Sequence, residues 1–469
     1  MRYPFLKFLL LVTLLSFVVA QDVQPSDPQA SPTDSSNQPP PAQSSSPLDP
    51  TSSTDPNQSN TPTPTNNGNT DSLAPTASAS DVATPSSTPQ TVDPNVCTAL
   101  KQWFDSTNGN SWIVRNGWDS TDMTSCCSWY NVRCSSIGQV IEVDLSGNNL
   151  VGQLPDNFGT FPNLINVDFS YNNLTGPIPS TIGSAPNLKV INFDVNQLSG
   201  TLPPSIGGLV NLTYIHFKNN TITGGIPNTW SGLQKLLGLY ASNNQLNGPF
   251  PDVVTSMISL QALYIDNNQF NGLLPMSLGN MRALTTLNAK GNHLLGTIPD
   301  VFGNLTSLNS LYLSGQTFNG SIPESIYSLT NLVYLDLSNN RLKGIISPGV
   351  GNLTKIQTLM LSRNALNGPI PAEIGKLTQL QYLALNYNAL NGQFPSDIAP
   401  PALGYCYASP NQFQICPDPS IANDPNTMAF QCSIDCLVNS KKKSAASLTM
   451  TTFSTFLPIV IIVTMTTIL

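Results

Sequence analysis

Apolar and polar residues repeat with a fixed period of 24 along residues 140–403, which divide into eleven consecutive segments without an insertion. The first position of every segment is apolar, from Val140 to Leu380. The ninth position is Asn in ten segments, with Gln316 as the exception, and the thirteenth is Gly in all eleven. The sixteenth is Pro in ten, with Ser347 as the exception. A fixed period of this length predicts a solenoid whose coils bury their apolar edges against one another.

The polar positions predict how each coil is built. In the segment LVYLDLSNNRL, Tyr334, Asp336 and Ser338 alternate with leucines, so we expect them to face solvent from a half-buried strand. Stacked strands of this kind form a long parallel sheet. We expect the Asn to bond turn backbone that would otherwise be buried without a partner. The Gly permits a positive φ, and the Pro stiffens the return segment.

The repeat as a whole resembles the plant-type leucine-rich repeat, LxxLxLxxNxLxGxIPxxIGxL. Residues 380–392, LQYLALNYNALNG, carry its first half, and Gly176–Pro179 carry the GxIP portion that separates this subclass from others. The resemblance implies an α/β repeat solenoid, a right-handed superhelix with a parallel sheet on the concave face and disulfide-bonded caps. The chain is similar to polygalacturonase-inhibiting proteins and receptor kinase ectodomains, although the sequence carries no kinase region. Because this family is a binding scaffold for many partners, the resemblance alone does not assign a function.

Cysteines occur only on either side of the repeats. Residues 94–139 hold four tryptophans and one cysteine cluster, which predicts a lid over the first coil. That cluster comprises Cys97, Cys126, Cys127 and Cys134. The run CCSWYNVRC resembles the CxWxxVxC signature that precedes plant-type repeats, and this resemblance implies the pairs Cys97–Cys126 and Cys127–Cys134. The alternative, a zinc site, suits a reducing compartment, whereas this chain reads as secreted.

A second cap is expected over residues 404–436. Its cysteines are Cys406, Cys416, Cys432 and Cys436. Four cysteines allow three pairings, and the sequence does not choose among them.

The two terminal regions predict export and surface attachment. Residues 1–20 read as a signal peptide, and residues 21–93, rich in Pro, Ser and Thr and without Lys or Arg, as a disordered, O-glycosylated arm. Residues 437–469 read as a stalk followed by a glycosylphosphatidylinositol-anchor signal with attachment at Ser444, Ser440 and Ala445 being alternatives. A transmembrane tail is the competing interpretation, but residues 453–469 are only 17 residues, several of them Thr, and three lysines precede them.

Composition and motifs exclude several functions. A net charge of −8 with only 9% charged residues argues against a nucleic-acid partner. The two histidines, His216 and His293, lie at different coil positions, and the neighbouring acids Asp144 and Asp168 are typical of a solvated ridge rather than a glycosidase pair. We therefore expect no enzymatic activity, no cofactor and no metal. Potential N-glycosylation sites, expected to leave the sheet face clear, are Asn57, Asn173, Asn211, Asn219, Asn304, Asn319 and Asn352.

The outward strand positions are the candidate binding surface. The central one runs from Asp144 through Asn192 and Asp336 to Ala384, and aromatic residues concentrate in coils four to nine. Tyrosines with interspersed charges on a rigid face are typical interface anchors, although Tyr also simply suits strands. The predicted contacts are Tyr214, His216, Lys218, Tyr240, Tyr264, Asp266, Lys290, Tyr312 and Tyr334.

Two functions fit this arrangement. The first is a non-catalytic cell-surface recognition protein that binds an extracellular protein or glycan ligand through the concave face. The second is a structural cell-wall glycoprotein in which the Ser/Thr/Pro arm is the working part.

Overall fold

The computed structural model describes residues 92–395, 399–415 and 417–432. Its main feature is a thirteen-stranded sheet to which each coil contributes one short strand. All neighbouring strands pair in parallel except the first two, which are antiparallel. In order, the strands are Val132–Cys134, Val140–Asp144, Asn166–Asp168, Val190–Asn192, Tyr214–His216, Gly238–Tyr240, Ala262–Tyr264, Thr286–Asn288, Ser310–Tyr312, Tyr334–Asp336, Thr358–Met360, Tyr382–Ala384 and Tyr405–Tyr407. The predicted repeat solenoid with a parallel sheet is confirmed.

A second set of short strands follows the Asn turns and forms three smaller sheets. These strands are Val151–Gly152, Asn173–Pro177 and Gln197–Ser199; Thr223–Gly224, Gln245–Pro249, Gln269–Gly272, His293–Thr297 and Thr317–Asn319; and Lys343–Gly344, Ala365–Gly368 and Ala389–Leu390. The sequence analysis did not predict them, because each contributes only a few backbone bonds to a neighbouring coil.

The return segments are 3-10 helices of three to five residues, because few residues remain to bring the chain back to the next strand. They span Phe158–Thr160, Ser180–Ser184, Pro204–Gly208, Asn228–Gly232, Asp252–Ser256, Met276–Asn280, Phe302–Asn304, Glu324–Ser328, Pro348–Asn352 and Ala372–Lys376. Two further 3-10 helices, Gly109–Ser111 and Cys126–Ser128, lie in the first cap. Among the described residues, α-helix occurs only in the caps, at Pro94–Ser106, Pro419–Ala422 and Met428–Gln431.

The repeated Asn side chains join each coil to the one before it. Asn268 Oδ1 accepts from the Leu246 amide at 2.9 Å, and its Nδ2 donates to the carbonyl of Ala241 at 2.9 Å. The same nitrogen also donates to the carbonyls of Ile265 and Asp266 within its own coil. This is the backbone-bonding role expected of the ninth position. Gln316, the exception, keeps the two bonds to the preceding coil.

The backbone has a positive φ at two positions of every coil. The thirteenth position is the predicted one, with φ between 73° and 134° from Gly152 to Gly392. The eighth position, which the sequence analysis missed, has φ between 52° and 67° in all eleven coils. Seven of these residues are Gly or Asn, which suit this conformation, and the others are Tyr171, Val195, Arg363 and Tyr387.

The first cap covers the core of the first coils with aromatic side chains. Trp103, on the helix Pro94–Ser106, lies 4.8 Å from Phe161 and 5.2 Å from Phe169 between ring centroids. Disulfides join Cys97 to Cys126 and Cys127 to Cys134, the pairs that the resemblance implied.

The second cap begins with a twelfth coil. The strand Tyr405–Tyr407 pairs in register with Tyr382–Ala384, and Asn411 makes the bonds of the repeated Asn. The pattern LGYCYASPNQF from Leu403 could have revealed this coil. However, it starts one residue before the position that the 24-residue period predicts, and it has Cys406 where the other coils have an aliphatic residue. Cys406 is bonded to Cys432, and the predicted cap cysteines Cys416 and Cys436 lie outside the described residues.

The predicted signal peptide, nearly all of the arm, including Asn57, and the anchor signal with Ser444 also lie outside the described residues. Within the described part of the chain, every helix is too short or too polar to cross a membrane.

Candidate functional site

The outward side chains of the thirteen-stranded sheet form one continuous surface, called the sheet face below. Strand register places the same position of successive coils side by side, so that His216, Tyr240 and Tyr264 are directly paired. Neighbouring parallel strands are about 4.8 Å apart, close enough for aromatic side chains to stack. Residues that are 24 apart in the sequence therefore lie side by side on the sheet face and form rows.

Five residues in the middle of the sheet face form the aromatic centre: Tyr214, His216, Lys218, Tyr240 and Tyr264. The His216 and Tyr240 rings stack with centroids 4.4 Å apart and an interplanar angle of 13°. Tyr240 and Tyr264 stack at 5.2 Å and 19°. Tyr214 lies 6.3 Å from His216. The structure thus brings together five of the nine contact residues that the sequence analysis predicted.

Lysine and aspartate side chains hold this stack in place. Lys218 Nζ lies 4.5 Å from the Tyr240 ring centroid and 5.2 Å from that of Tyr264, which are cation–π distances. Asp194 accepts from the Lys218 backbone amide at 2.6 Å, and its other oxygen lies 3.6 Å from His216 Nδ1. Because Lys218 rests on the rings, its ammonium forms no ion pair among the described residues.

Gly238 makes room for the stack, and the sequence analysis did not single it out. A Cβ added at this residue would lie 2.6 Å from Cε2 of Tyr240 and 2.9 Å from Cδ1 of Tyr214. Any larger residue would displace one of these rings. The sequence signal was present, since coil five alone has Gly at this outward position.

The remaining predicted contacts lie in coils six to nine. Asp266 accepts hydrogen bonds from Ser242 and Asn288, while Lys290 is exposed. Tyr312 and Tyr334 stack with centroids 6.4 Å apart, at 26°.

Partial burial further favours the protonated form of tyrosine hydroxyl groups on the sheet face. It raises the pKa of Tyr240 above its ordinary value, with a smaller contribution from Tyr264. Burial likewise raises the pKa of Tyr312, although a hydrogen bond with Ser310 opposes the shift. Both phenols therefore remain available as hydrogen-bond donors well above neutral pH.

The two ends of the sheet face differ from its middle. At the first coils, Asp168 accepts from Ser170 and from Asn192 Nδ2, so the acids there are held in a polar ridge, and Asp144 accepts from the Ser146 amide. At the last coils, the Tyr382 ring lies 6.1 and 5.7 Å from those of Tyr405 and Tyr407. The sequence analysis missed the latter two because it assigned residues 404–436 to the cap.

Three positions expected to be exposed are not. Asp336 is 5% exposed, because it lies between Tyr312 and Met360 and its carboxylate turns back to accept from the amide and hydroxyl of Ser338. Ala384 is 3% exposed, since it is small and the rings of Tyr382 and Tyr407 flank it. Asn192 is half-buried and bonded to Asp168 and to the Asp194 amide.

The potential glycosylation sites lie mostly away from the rings. Asn304 and Asn352 are exposed on return segments, Asn173 and Asn319 are exposed at the ends of strands in the smaller sheets, and Asn211 is half-buried beside Lys235. Asn219 departs from the expectation of a clear face, because it directly follows Lys218 at the edge of the aromatic centre. Its Oδ1 accepts from Asn243 Nδ2 at 2.8 Å.

The described residues contain no group of three His, Cys, Asp or Glu side chains that could hold a metal ion. What they contain on the sheet face is a row of stacked rings.

Comparison with known proteins agrees with this architecture. The family model described as Leucine Rich Repeat matches residues 139–161, 163–185, 187–209, 211–233, 259–281, 283–305 and 331–353. No curated protein matches the chain.

Solved structures with the same fold include plant receptors. The ectodomain of the Arabidopsis thaliana receptor kinase GASSHO1/SCHENGEN3, in complex with CASPARIAN STRIP INTEGRITY FACTOR 2, is 31% identical with a TM-score of 0.63, covering 68% of this chain and 39% of that one. The Arabidopsis receptor kinase HAESA, in complex with the peptide hormone IDA and the co-receptor SERK1, is 28% identical with a TM-score of 0.56, covering 68% and 59%. The present chain therefore spans less than two thirds of either receptor chain.

A third similar structure is a plant ice-binding protein, 27% identical with a TM-score of 0.53, covering 62% of this chain and 92% of that one. The fold and the sheet face define a leucine-rich repeat solenoid. The chain is a leucine-rich repeat protein of the plant type.

Proposed function

We propose that this protein is a non-catalytic recognition protein that binds an extracellular protein ligand through the aromatic centre of its sheet face. The proposal is based mainly on the stack of His216, Tyr240 and Tyr264, with Lys218 in contact with the tyrosine rings. Half-buried aromatic residues on a rigid scaffold lose little conformational entropy on binding, which is why they dominate interface energetics. A second ring cluster on the sheet face, Tyr382 with Tyr405 and Tyr407 at the last coils, is looser, with tilted rings whose centroids are 6.1 and 5.7 Å apart.

The stacking favours a protein ligand over a glycan. A sugar ring packs on the open face of an aromatic side chain, whereas the faces in this stack are turned toward each other. Tyr240 and Tyr264 are half-buried, which leaves a rim of the stack in solvent, and their hydroxyl groups make no hydrogen bond within the described residues. Such a rim suits hydrogen bonding to peptide groups and to polar side chains. The receptor ectodomains of similar fold were solved with peptide hormone or protein ligands, which supports the same class.

The proposal includes surface display and the domain organisation. The signal peptide at residues 1–20, the arm at 21–93, the caps around the coils and the anchor signal with Ser444 would place the sheet face outside the cell. The sequence motifs support this part, together with the paired cysteines of the first cap, since disulfides persist in oxidising compartments.

Capture of secreted proteins by purified full-length chain tests the binding role. Wild type, Tyr240→Ala and Tyr264→Ala are compared as baits by quantitative mass spectrometry, and affinity is then measured for each captured ligand. We expect each substitution to weaken binding by about 2 kcal/mol, as for central aromatic anchors. Lys218→Ala should act mainly on the association rate and its salt dependence.

Arg282→Ala is the matched control, because Arg282 is exposed on a return segment, away from the sheet face. It should leave capture unchanged. A ligand set that is identical for all baits, including the two tyrosine variants, would contradict the proposed function.

A further inference from the structure

The aromatic row on the sheet face has one gap. Along the central outward position, coils four, five, six and eight carry His216, Tyr240, Tyr264 and Tyr312, while coil seven carries Asn288. Strand pairing places Asn288 directly between Tyr264 and Tyr312. Among the described ring contacts, none joins these two tyrosines.

The gap has the width of one aromatic ring. Two strand spacings separate Tyr264 from Tyr312, or about 10 Å. A ring placed midway would lie about 5 Å from each, within the range of stacked aromatic pairs. The Tyr240–Tyr264 pair, one strand apart, has its centroids at 5.2 Å, so the rings on this sheet do follow the strand spacing.

The Asn288 side chain, at the bottom of the gap, is fixed by hydrogen bonds. Asn288 Nδ2 donates to Asp266 Oδ1 at 2.9 Å, and its Oδ1 accepts from the Lys290 amide at 3.3 Å. Both ends of the amide are therefore tied to the surface. Thr286, the neighbouring outward residue on the strand, is small. We call this gap the slot: Thr286 and Asn288 form its floor, and Tyr264 and Tyr312 its walls.

A cation stands at the edge of the slot. Lys290 is exposed, and its ammonium has no ion pair in the described part of the chain. The acid in the same row, Asp266, is already occupied by Ser242, Asn267 and Asn288. A ligand carboxylate is the complementary group that this free charge would attract.

We propose that the slot binds an aromatic side chain of the ligand, which completes the interrupted row, and that Lys290 binds a carboxylate next to that side chain. This inference rests on the proposed function and deepens it, because it assigns a ligand of stated chemistry: a protein segment with an aromatic residue beside an acidic group or a free carboxy-terminus.

The test uses N-acetyl-L-phenylalanine, which carries a ring and a carboxylate, as the probe for the purified full-length chain. Saturation-transfer NMR measures its binding alongside N-acetyl-L-phenylalaninamide, which lacks the charge. We expect saturable binding of both, with the acid about two- to fivefold tighter at low salt, as for an exposed ion pair. Lys290→Met should remove that preference and leave the amide unaffected.

Asn288→Tyr fills the slot with the chain's own ring and should weaken both probes at least about tenfold, since two ring contacts are lost. Met360→Tyr is the matched control, because it adds the same side chain at the same outward position three coils away. It should leave binding unchanged. Thermal melting checks that both variants are folded.

Equal binding by wild type and Asn288→Tyr would overturn the slot, as would a lack of saturable binding or a preference for methyl β-glucoside over the phenylalanine probes. None of these three results would contradict the proposed function itself. A protein ligand whose capture depends on Tyr240 would still establish the sheet face as the interface, without the slot.

Discussion

At the residue scale, the eighth position of each coil shows how local conformation limits the sequence. Its left-handed backbone favours Gly and Asn, because a Cβ in this region crowds the following carbonyl oxygen. Val195, with φ 56°, is the one β-branched residue among the eleven. Branching at Cβ makes this conformation unfavourable for Val in particular.

Val195→Asn should therefore stabilise the protein by about 1 kcal/mol, since Asn tolerates the conformation that strains Val. Chemical denaturation of the purified chain measures the change. The reverse substitution, Asn339→Val, serves as the control: φ at Asn339 is 54°, and its side chain makes no hydrogen bond within the described residues. It should destabilise by a similar amount. If neither variant changes stability, the strain at this position is relieved by backbone movement.

At the element scale, the Asn turns add side-chain hydrogen bonds to the backbone bonds that join neighbouring coils. Each buried Asn satisfies a backbone amide of the preceding coil and a carbonyl on either side, for example at Asn268. Removing the side chain leaves these groups buried without partners, which costs more than the bonds themselves contribute. Gln316 shows that a longer amide can serve, because it still reaches Leu294 and Ala289.

Asn268→Ala should destabilise the protein by about 1–3 kcal/mol. Asn271→Ala is the matched control, because Asn271 is exposed in the same coil and its side chain makes no hydrogen bond in the described structure; a surface change of this kind stays within about 0.5 kcal/mol. Denaturant midpoints compare the two variants. Equal costs would mean that the buried amides find other partners. Asn192, predicted to be exposed, would be a poor control because it bonds Asp168.

At the scale of the whole molecule, carboxylates tie the return segments of neighbouring coils together. Asp156 accepts from the amide of Thr181 at 2.7 Å, and Asp300 from the amide of Ser325 at 3.0 Å, each one coil further on. Hydrogen bonds from Thr181 hold the pKa of Asp156 below its ordinary value, and those from Ser325 do the same for the pKa of Asp300. Solenoid stability depends on such neighbour contacts, because each coil touches only the next.

A carboxyl group with a lowered pKa stabilises the folded state above its unfolded pKa of about 3.9, and this contribution is lost as the pH falls through the folded pKa. The double variant Asp156→Asn/Asp300→Asn should thus melt below wild type at pH 7, with the difference shrinking as the pH falls below about 4. Thermal melting from pH 7 to pH 3 measures this. Asp119→Asn, an exposed control without a side-chain hydrogen bond in the described residues, should match wild type. A constant difference at all pH values would rule out the carboxylate charges as the cause.

The sequence pattern alone predicts the repeat, the parallel sheet, the role of the Asn turns and the position of the aromatic residues. It could do so because a 24-residue period fixes which side chains face the core and which face solvent, and strand stacking then follows from the period alone. The disulfides of the first cap do not follow from the period; the resemblance of its cysteine run to the CxWxxVxC signature implied them, and the structure contains the same pairs.

The way in which neighbouring side chains cover one another on the surface follows only from the folded structure. Asp336 and Ala384 are buried although their position is outward, because larger neighbours cover them. Tyr405 and Tyr407 belong to the sheet face because the chain forms one more coil, whose Asn411 makes the bonds of the repeated Asn. This coil begins one residue earlier than the 24-residue period predicts. The Tyr240–Tyr264 stack and the Asn288–Asp266 bond join residues 24 and 22 apart in sequence, and the space at Gly238 involves Tyr214 of the preceding coil as well as Tyr240; a pattern within one coil does not contain such contacts.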